Sequence, residues 1–213
     1  MLAYVCLKRF ADVILSLLAL ILLSPLLLLL AVIIKLDSKG PVFLKQIRVG
    51  KDKKNFIIYK FRTMSIDAPP DVAACLLKDP FAYITNVGKW LRRTSIDEIP
   101  QLFNILQGNM SFVGPRPIVT TEVKLVALRD KYGVYRLKPG LTGWAQVNGR
   151  DCVDYKDKAK LDAYYLEHFG FWMDMKVFFK TVMCVVTMKG IHEGSFTRAE
   201  TYHEEPPKEK KDK

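Results

Sequence analysis

The chain has 213 residues, with 33 Lys and Arg against 22 Asp and Glu, for a formal net charge of +11. That length fits one domain with additions, or one domain and an anchor. The charge favours an anionic partner: nucleic acid, an anionic membrane face or a phosphorylated substrate. Cys6, Cys75, Cys152 and Cys184 show no C-x-x-C spacing, which argues against a zinc site and a disulfide framework and fits a reducing compartment.

From Ala11 to Ile34 almost every residue is apolar, with Asp12, Ser16 and Ser24 as the polar exceptions. Roughly 24 residues make about 36 Å of helix, enough to cross a bilayer. The run is too long for the apolar core of a signal peptide, and no small-x-small cleavage site follows it. Two features bear on its topology. Ser24 and Pro25 fall near the middle, where proline kinks a helix. Lys8 and Arg9 precede the run, and Lys35, Lys39 and Lys45 follow it. Positive charge marks the cytoplasmic side, and here it marks both ends. A spanning helix and a re-entrant one that turns at Ser24-Pro25 both remain open on these grounds, with Asp12 near headgroup level in the second case.

Ser38-Lys39-Gly40-Pro41 is a turn signal. Val42–Leu44 and Phe56–Tyr59 are short β-prone runs around a basic link with Gly50, which predicts a two-stranded hairpin. Lys60 and Arg62 follow. Asp67 to Pro80 reads as a loop. Leu102, Phe103, Ile105 and Leu106 give a helical stripe closed by Gly108. Gly114-Pro115-Arg116-Pro117 stiffens the backbone around one arginine. Thr121 to Tyr132 and Lys160 to Leu166 read as helices. Pro139 to Gly149 is glycine-rich and leads to Gln146, Asn148 and Arg150. Such a loop can offer backbone N–H groups to a phosphate, although it is neither a Walker nor a Rossmann pattern. Phe171 to Met188 predicts either a core helix or an interfacial one lying on a membrane. The last ~20 residues are charged and read as disordered.

The densest chemistry lies in Arg92-Arg93-Thr94-Ser95-Ile96-Asp97-Glu98-Ile99-Pro100-Gln101. Two adjacent carboxylates beside fixed cations suit a nucleophile or metal ligand acting on a phosphate ester. Taken alone, Ser95 to Glu98 also spells a helix capping box. Lys60, Arg62, Arg92, Arg116 and Arg150 come from separate segments, each beside a turn or an element end. Cations around a diphosphate, Mg²⁺ and an oxygen nucleophile are what phosphoryl transfer needs. A carboxylate at a helix N-terminus near arginines is expected to stay ionised. His168, His192 and His203 fall late in the chain and read as surface residues.

The chain resembles the bacterial sugar transferases, the monotopic phosphoglycosyl transferases. The blocks that carry the resemblance occur in order: Lys8-Arg9 with Asp12 and Ser24-Pro25; Gly40 to Phe43 with Gln46 and Arg48; Tyr59 to Met64; Arg92 through Gln101 to Asn104; Gly108 to Pro117; and Lys138 to Arg150. Leu161-Asp162 with Tyr164-Tyr165, and Asp174, extend it. The resemblance implies transfer of a sugar 1-phosphate from a UDP-sugar to polyprenol (undecaprenyl) phosphate with release of UMP, as a first membrane step of glycoconjugate or polysaccharide assembly. It implies Asp97 as the nucleophile of a covalent intermediate, Glu98 beside it, and Mg²⁺ at the site with Asp97 as a ligand. It further implies a re-entrant anchor broken at Ser24-Pro25 and a place on the cytoplasmic face of the bacterial inner membrane. Larger members carry an additional N-terminal membrane domain, and this chain corresponds to the core. Departures from the family pattern are Lys53, where a second glycine is usual, and His168 and Gly170, where asparagine and serine are common.

The resulting expectation is an α+β, mainly helical protein. A re-entrant membrane helix (residues 1–36) precedes a catalytic domain with a small β-hairpin and interfacial amphipathic helices (37–190) and a charged tail (191–213). Its expected substrate-binding residues are Lys60, Arg62, Arg92, Arg116, Gln146, Asn148 and Arg150. Its partners are a UDP-sugar, polyprenol phosphate and a phospholipid membrane, with no nucleic acid. A basic membrane-anchored adaptor and a nucleic-acid binder explain the charge but have no use for the Asp97-Glu98 dyad, and no nucleic-acid-binding module is present.

Overall fold

The computed structural model describes residues 2–68, 79–149 and 154–187. Its first element is α1 (Leu2–Asp37), one helix of 36 residues. It is the one helix among the described residues long and apolar enough to cross a membrane. Helicity continues through Ser24 and Pro25 rather than stopping there. Proline has no N–H to give to the carbonyl four residues back, which is that of Ile21. Ser24 Oγ donates to this same carbonyl oxygen at 2.8 Å. A neighbouring hydroxyl thus satisfies the acceptor that proline orphans, a device suited to apolar surroundings.

One stripe of α1 faces the rest of the molecule. Asp12, Ser16, Leu20, Leu30 and Ile34 are buried, and Leu23 and Leu27 pack beside them. The i+3/i+4 spacing of these positions puts them on one helix face. The opposite face exposes Leu15, Leu18, Leu22, Leu29, Val32 and Leu36. The contacts run along almost the whole helix. Near its start, Lys8 pairs with Asp174, and Arg9 donates to the Ile105 and Leu106 carbonyl oxygens at 2.5 and 2.8 Å. Asp12 Oδ1 accepts the Phe112 N–H at 3.1 Å, which gives a buried acid in an apolar helix its partner. Near its end, Lys35 donates to the Gly40 carbonyl oxygen at 3.0 Å.

The predicted hairpin is present and longer than the apolar runs suggest: β1 (Phe43–Val49) and β2 (Asn55–Phe61) pair antiparallel. The polar link joins the ladder because its residues alternate between a head-facing and an outer side. Register sets Gln46 opposite Ile58 and Leu44 opposite Lys60, so Gln46, Ile58 and Lys60 share one face. In the hairpin loop Lys53 adopts φ 58°. That left-handed conformation favours glycine, which accounts physically for the family's usual glycine. Here Lys53 holds it with a partner, pairing with Asp130 at 2.9 Å.

Next come α2 (Asn86–Thr94), a 3₁₀ turn (Ile96–Glu98), and α3 (Gln101–Gln107). Gly108, at φ 89°, closes α3 as expected, its N–H reaching the Asn104 and Ile105 carbonyl oxygens. The buried residues of α3 are Gln101, Leu102, Asn104 and Ile105, while Phe103 is exposed. The expected apolar stripe is thus half replaced by two amides. Leu20, Ile58, Leu102, Ile105 and Met110 form one core cluster, which joins α1, β2 and α3. Leu30, Ile34, Phe61 and Leu91 form another, joining α1, β2 and α2.

Strands β3 (Ser111–Val113) and β4 (Gly140–Thr142) pair in parallel. A Cβ on Gly140 would meet Gly114 N at 2.1 Å, and one on Gly143 would meet Gly114 O at 2.1 Å. The glycine-rich segment therefore serves close backbone packing, and the Gly140 N–H goes to the Pro115 carbonyl oxygen at 2.9 Å. The remaining helices are α4 (Val123–Lys131), α5 (Trp144–Gly149), α6 (Tyr155–Glu167) and α7 (Phe171–Thr187). In α7, Met173, Asp174 and Val177 are buried, whereas Trp172, Phe179 and Met183 are well exposed. The fold is mainly helical with a small sheet, as expected. The charged tail lies outside the described residues.

Candidate active site

Asp97 and Glu98 sit on the 3₁₀ turn between α2 and α3. Ser95 is in the left-handed region, at φ 57°, and its side chain makes no capping bond. The capping-box reading of Ser95–Glu98 is therefore not realised. Turn and helix are fixed to the hairpin by Asn104, which is wholly buried. Its Oδ1 accepts the Tyr59 N–H at 3.0 Å, and its Nδ2 donates to the Ile57 carbonyl oxygen at 2.6 Å. This bond pair holds α3 in register with the strand that carries Lys60.

Lys60 Nζ donates to Glu98 Oε1 at 2.6 Å. Arg116 forks onto the same carboxylate, Nη2 to Oε1 at 2.7 Å and Nη1 to Oε2 at 3.4 Å. Burial alone would raise the Glu98 pKa, but Arg116 and Lys60 outweigh it and hold the carboxyl below its usual range. Asp97 differs. It is 8% exposed and makes no side-chain hydrogen bond or ion pair among the described residues. Burial pushes its pKa up; Lys60, Arg92 and Arg116 offset this in part, and Glu98 reinforces it. Desolvation exceeds the help from the cations, so the shift is upward rather than downward. Arg92, whose Nε donates to Thr63 Oγ1 at 2.8 Å, has its own pKa lowered by burial and raised by Asp97.

Lys60, Arg92 and Arg116 thus converge on the dyad. Arg62 is directed elsewhere: its Nη2 donates to the Ser38 carbonyl oxygen at 2.6 Å and to Ser38 Oγ at 2.8 Å, at the junction between α1 and the hairpin. Gln146 donates to the Leu141 carbonyl oxygen at 3.3 Å. Asn148 donates to the Trp144 carbonyl oxygen at 2.7 Å and accepts from Lys180 at 2.6 Å. These amides serve the α5–α7 region and do not touch the dyad. Arg150 lies outside the described residues.

The family model for bacterial sugar transferase matches residues 3–188. The chain belongs to the bacterial sugar transferase family. It is 41% identical over 189 residues to a UDP-N-acetylgalactosamine-undecaprenyl-phosphate N-acetylgalactosaminephosphotransferase of Aeromonas hydrophila, covering 86% of this chain and 44% of that protein. It is 42% identical over 182 residues to a UDP-glucose:undecaprenyl-phosphate glucose-1-phosphate transferase of Klebsiella pneumoniae, covering 82% and 39%. It is 37% identical over 196 residues to the uncharacterized sugar transferase EpsL of Bacillus subtilis, covering 92% and 95%. The chain thus spans less than half of the first two relatives and nearly all of the third.

Within this family site, no group of three or more His, Cys, Asp or Glu poised for a metal exists among the described residues. Glu98 is committed to two cations, which leaves Asp97 as the carboxylate with oxygens to offer. Mg²⁺ is typically held by one or two carboxylates plus substrate phosphates. A site of Asp97 and phosphate oxygens fits that habit.

Sequence patterning assigns no role to Arg129, yet it is one of the largest fully buried side chains. Its Nε and Nη2 reach Asp162 Oδ2 at 2.8 and 2.6 Å, and its Nη1 donates to the Arg116 carbonyl oxygen at 2.7 Å. An arginine among charged neighbours on a surface helix reads as solvated, so only the fold reveals it. Asn104 could have been found in sequence as an amide inside an otherwise apolar stripe.

Proposed function

We propose that this protein transfers a sugar 1-phosphate from a UDP-sugar to a polyprenol phosphate, releasing UMP, at the cytoplasmic face of the bacterial inner membrane. The observation that carries this reading is the division of labour in the dyad. Glu98 takes up Lys60 and Arg116, and Asp97 is left as a desolvated, unpartnered carboxylate beside the same cations. In this reading an Asp97 oxygen attacks the phosphorus that bears the sugar. A P–O bond forms to Asp97, the bond to the leaving phosphate breaks, and UMP departs. The lipid phosphate oxygen then attacks the same phosphorus and releases Asp97. Lys60, Arg92 and Arg116 bind and orient the anions. Mg²⁺, when bound, would be held by Asp97 together with the substrate phosphate and would supply charge neutralisation.

We assign a re-entrant topology to α1. Lys8 and Lys35 both contact the same head, yet about 40 Å of helix separates them, more than the ~30 Å hydrocarbon core. A straight span would drag the head through the bilayer beside it. A helix that dips into one leaflet, with its bare leucine face in lipid, avoids that. The exposed Trp172, Phe179 and Met183 of α7 suit contact with the same interface.

The test is purified protein in lipid nanodiscs with polyprenol phosphate and a panel of UDP-sugars, read by UMP release. UMP release that requires both substrates is expected; none with any sugar on the panel defeats the reading.

A further inference from the structure

Gln101 opens α3 four residues beyond Asp97. It is 2% exposed, and its side-chain Nε2 is buried with no hydrogen-bond partner. Buried amide donors are nearly always paired, and an unpaired one is unfavourable. A small cleft brings this residue together with Arg48, Lys60, Arg116, Ile58 and Pro117. Three of the lining residues are cations. Glu98 is already engaged by Lys60 and Arg116, and neither it nor Asp97 hydrogen-bonds the Gln101 amide. Among the described residues no acceptor completes the Gln101 amide, and the surrounding charge favours an anion there.

We propose that Gln101 is a further substrate-binding residue, its side-chain amide donating to a phosphoryl oxygen received in the cleft between Arg48, Lys60 and Arg116. The inference deepens the transferase reading and rests on it for the source of the phosphate, which is either the nucleotide diphosphate or the lipid phosphate. A neutral donor among cations adds direction. Lysine and arginine attract any anion, while an immobile amide fixes where one oxygen sits.

The full-length protein in nanodiscs, carrying isotope-labelled glutamine, is titrated with inorganic pyrophosphate and followed by calorimetry and by its side-chain amide spectrum. Gln46, Gln107 and Gln146 are assigned by single substitution, which leaves Gln101 by elimination in protein that keeps it. The Gln101 amide is expected to shift as pyrophosphate binds, and that of the exposed Gln107 to stay. Gln101→Met is expected to weaken pyrophosphate binding about tenfold, the loss of one hydrogen bond to a charged group. Gln101→Glu, of the same shape but an acceptor, is expected to weaken it further. In turnover, a rise in KM confined to the UDP-sugar places its diphosphate at Gln101, and a rise confined to polyprenol phosphate places the lipid phosphate there; either supports the proposal. Absence of pyrophosphate binding, an unmoved Gln101 amide at saturation, or unchanged affinity in a folded Gln101→Met protein overturns it. UMP release by the wild type with no effect at Gln101 leaves the transferase reading standing and removes Gln101 from it. Pyrophosphate at Gln101 without UMP release from any UDP-sugar does the reverse: the anion site stands and the transferase reading falls.

Discussion

Asp97 and Glu98 are neighbours on one tight turn, and their carboxyl groups are driven in opposite directions. Arg116 and Lys60 close on Glu98 and hold its pKa down, while burial raises that of Asp97. Two chemically similar side chains thereby become a paired anion and an unpartnered carboxyl, the one we propose as the nucleophile.

Asp97→Asn is expected to reduce UMP release by about 10³-fold or more, since the amide keeps the shape and is a poor nucleophile. Its stability should move the other way. An acid whose folded pKa is raised binds its proton more tightly when folded, so it takes stability away as pH rises from the unfolded value through the folded one. Asp97→Asn should therefore melt higher than wild type at neutral pH, and the difference should vanish in acid. In wild type, activity should fall with acidification at a higher pH than an ordinary carboxylate dictates. Near-normal turnover by folded Asp97→Asn protein, its identity confirmed by mass, would remove Asp97 as nucleophile.

Glu98 obeys the opposite sign. Its depressed pKa contributes stability that is present above the unfolded carboxylate pKa and is lost as pH falls through the folded one. Glu98→Gln leaves Lys60 and Arg116 uncompensated, and about 3 kcal/mol of stability is expected to go with it. Urea melts of the two single variants at neutral pH check this directly: Asp97→Asn should shift up and Glu98→Gln down.

Activity is expected to require a divalent cation, with Mg²⁺ the best fit to oxygen donors. Treatment with excess EDTA should abolish UMP release, and Mg²⁺ should restore it. Full activity in EDTA would show that Lys60, Arg92 and Arg116 neutralise the diphosphate unaided.

Arg129→Met is expected to destabilise the protein by about 3–5 kcal/mol, because it strands the buried carboxylate of Asp162. Burial already pushes the Asp162 pKa up against the pull of Arg129. The double variant Arg129→Met with Asp162→Leu removes both charges and should recover most of that stability. It should not recover full activity, because the Arg116 carbonyl oxygen still lacks the donor that anchors it. A double variant with normal stability and normal kcat/KM would make the pair purely structural.

The anchor makes a topological prediction. A cysteine at Ala3, in a background with Cys6 replaced, should resist an impermeant thiol reagent on intact spheroplasts. Replacing Ser24 and Pro25 together by Leu restores the backbone donor and removes the compensating hydroxyl, which favours a straight helix. That variant should gain outside labelling. Labelling of the otherwise unaltered anchor from outside would show that it spans.

The sequence by itself determined the apolar helix and its basic flanks, the hairpin, the helix closed by Gly108 and the Asp97-Glu98 dyad. These are legible because each rests on local rules: periodicity, turn residues and charge adjacency. Only the tertiary structure decided which cations meet the dyad. Lys60 and Arg62 look equivalent two residues apart, yet β2 ends at Phe61, and Arg62 turns back to Ser38 while Lys60 reaches Glu98. The buried roles of Gln101 and Arg129 were likewise out of reach of pattern, since a polar residue on a helix reads as solvated until its partners are known. Asp97 itself shows the limit most clearly. Neighbouring arginines predict an ordinary carboxylate, and burial, a property of the whole packed chain, reverses the direction.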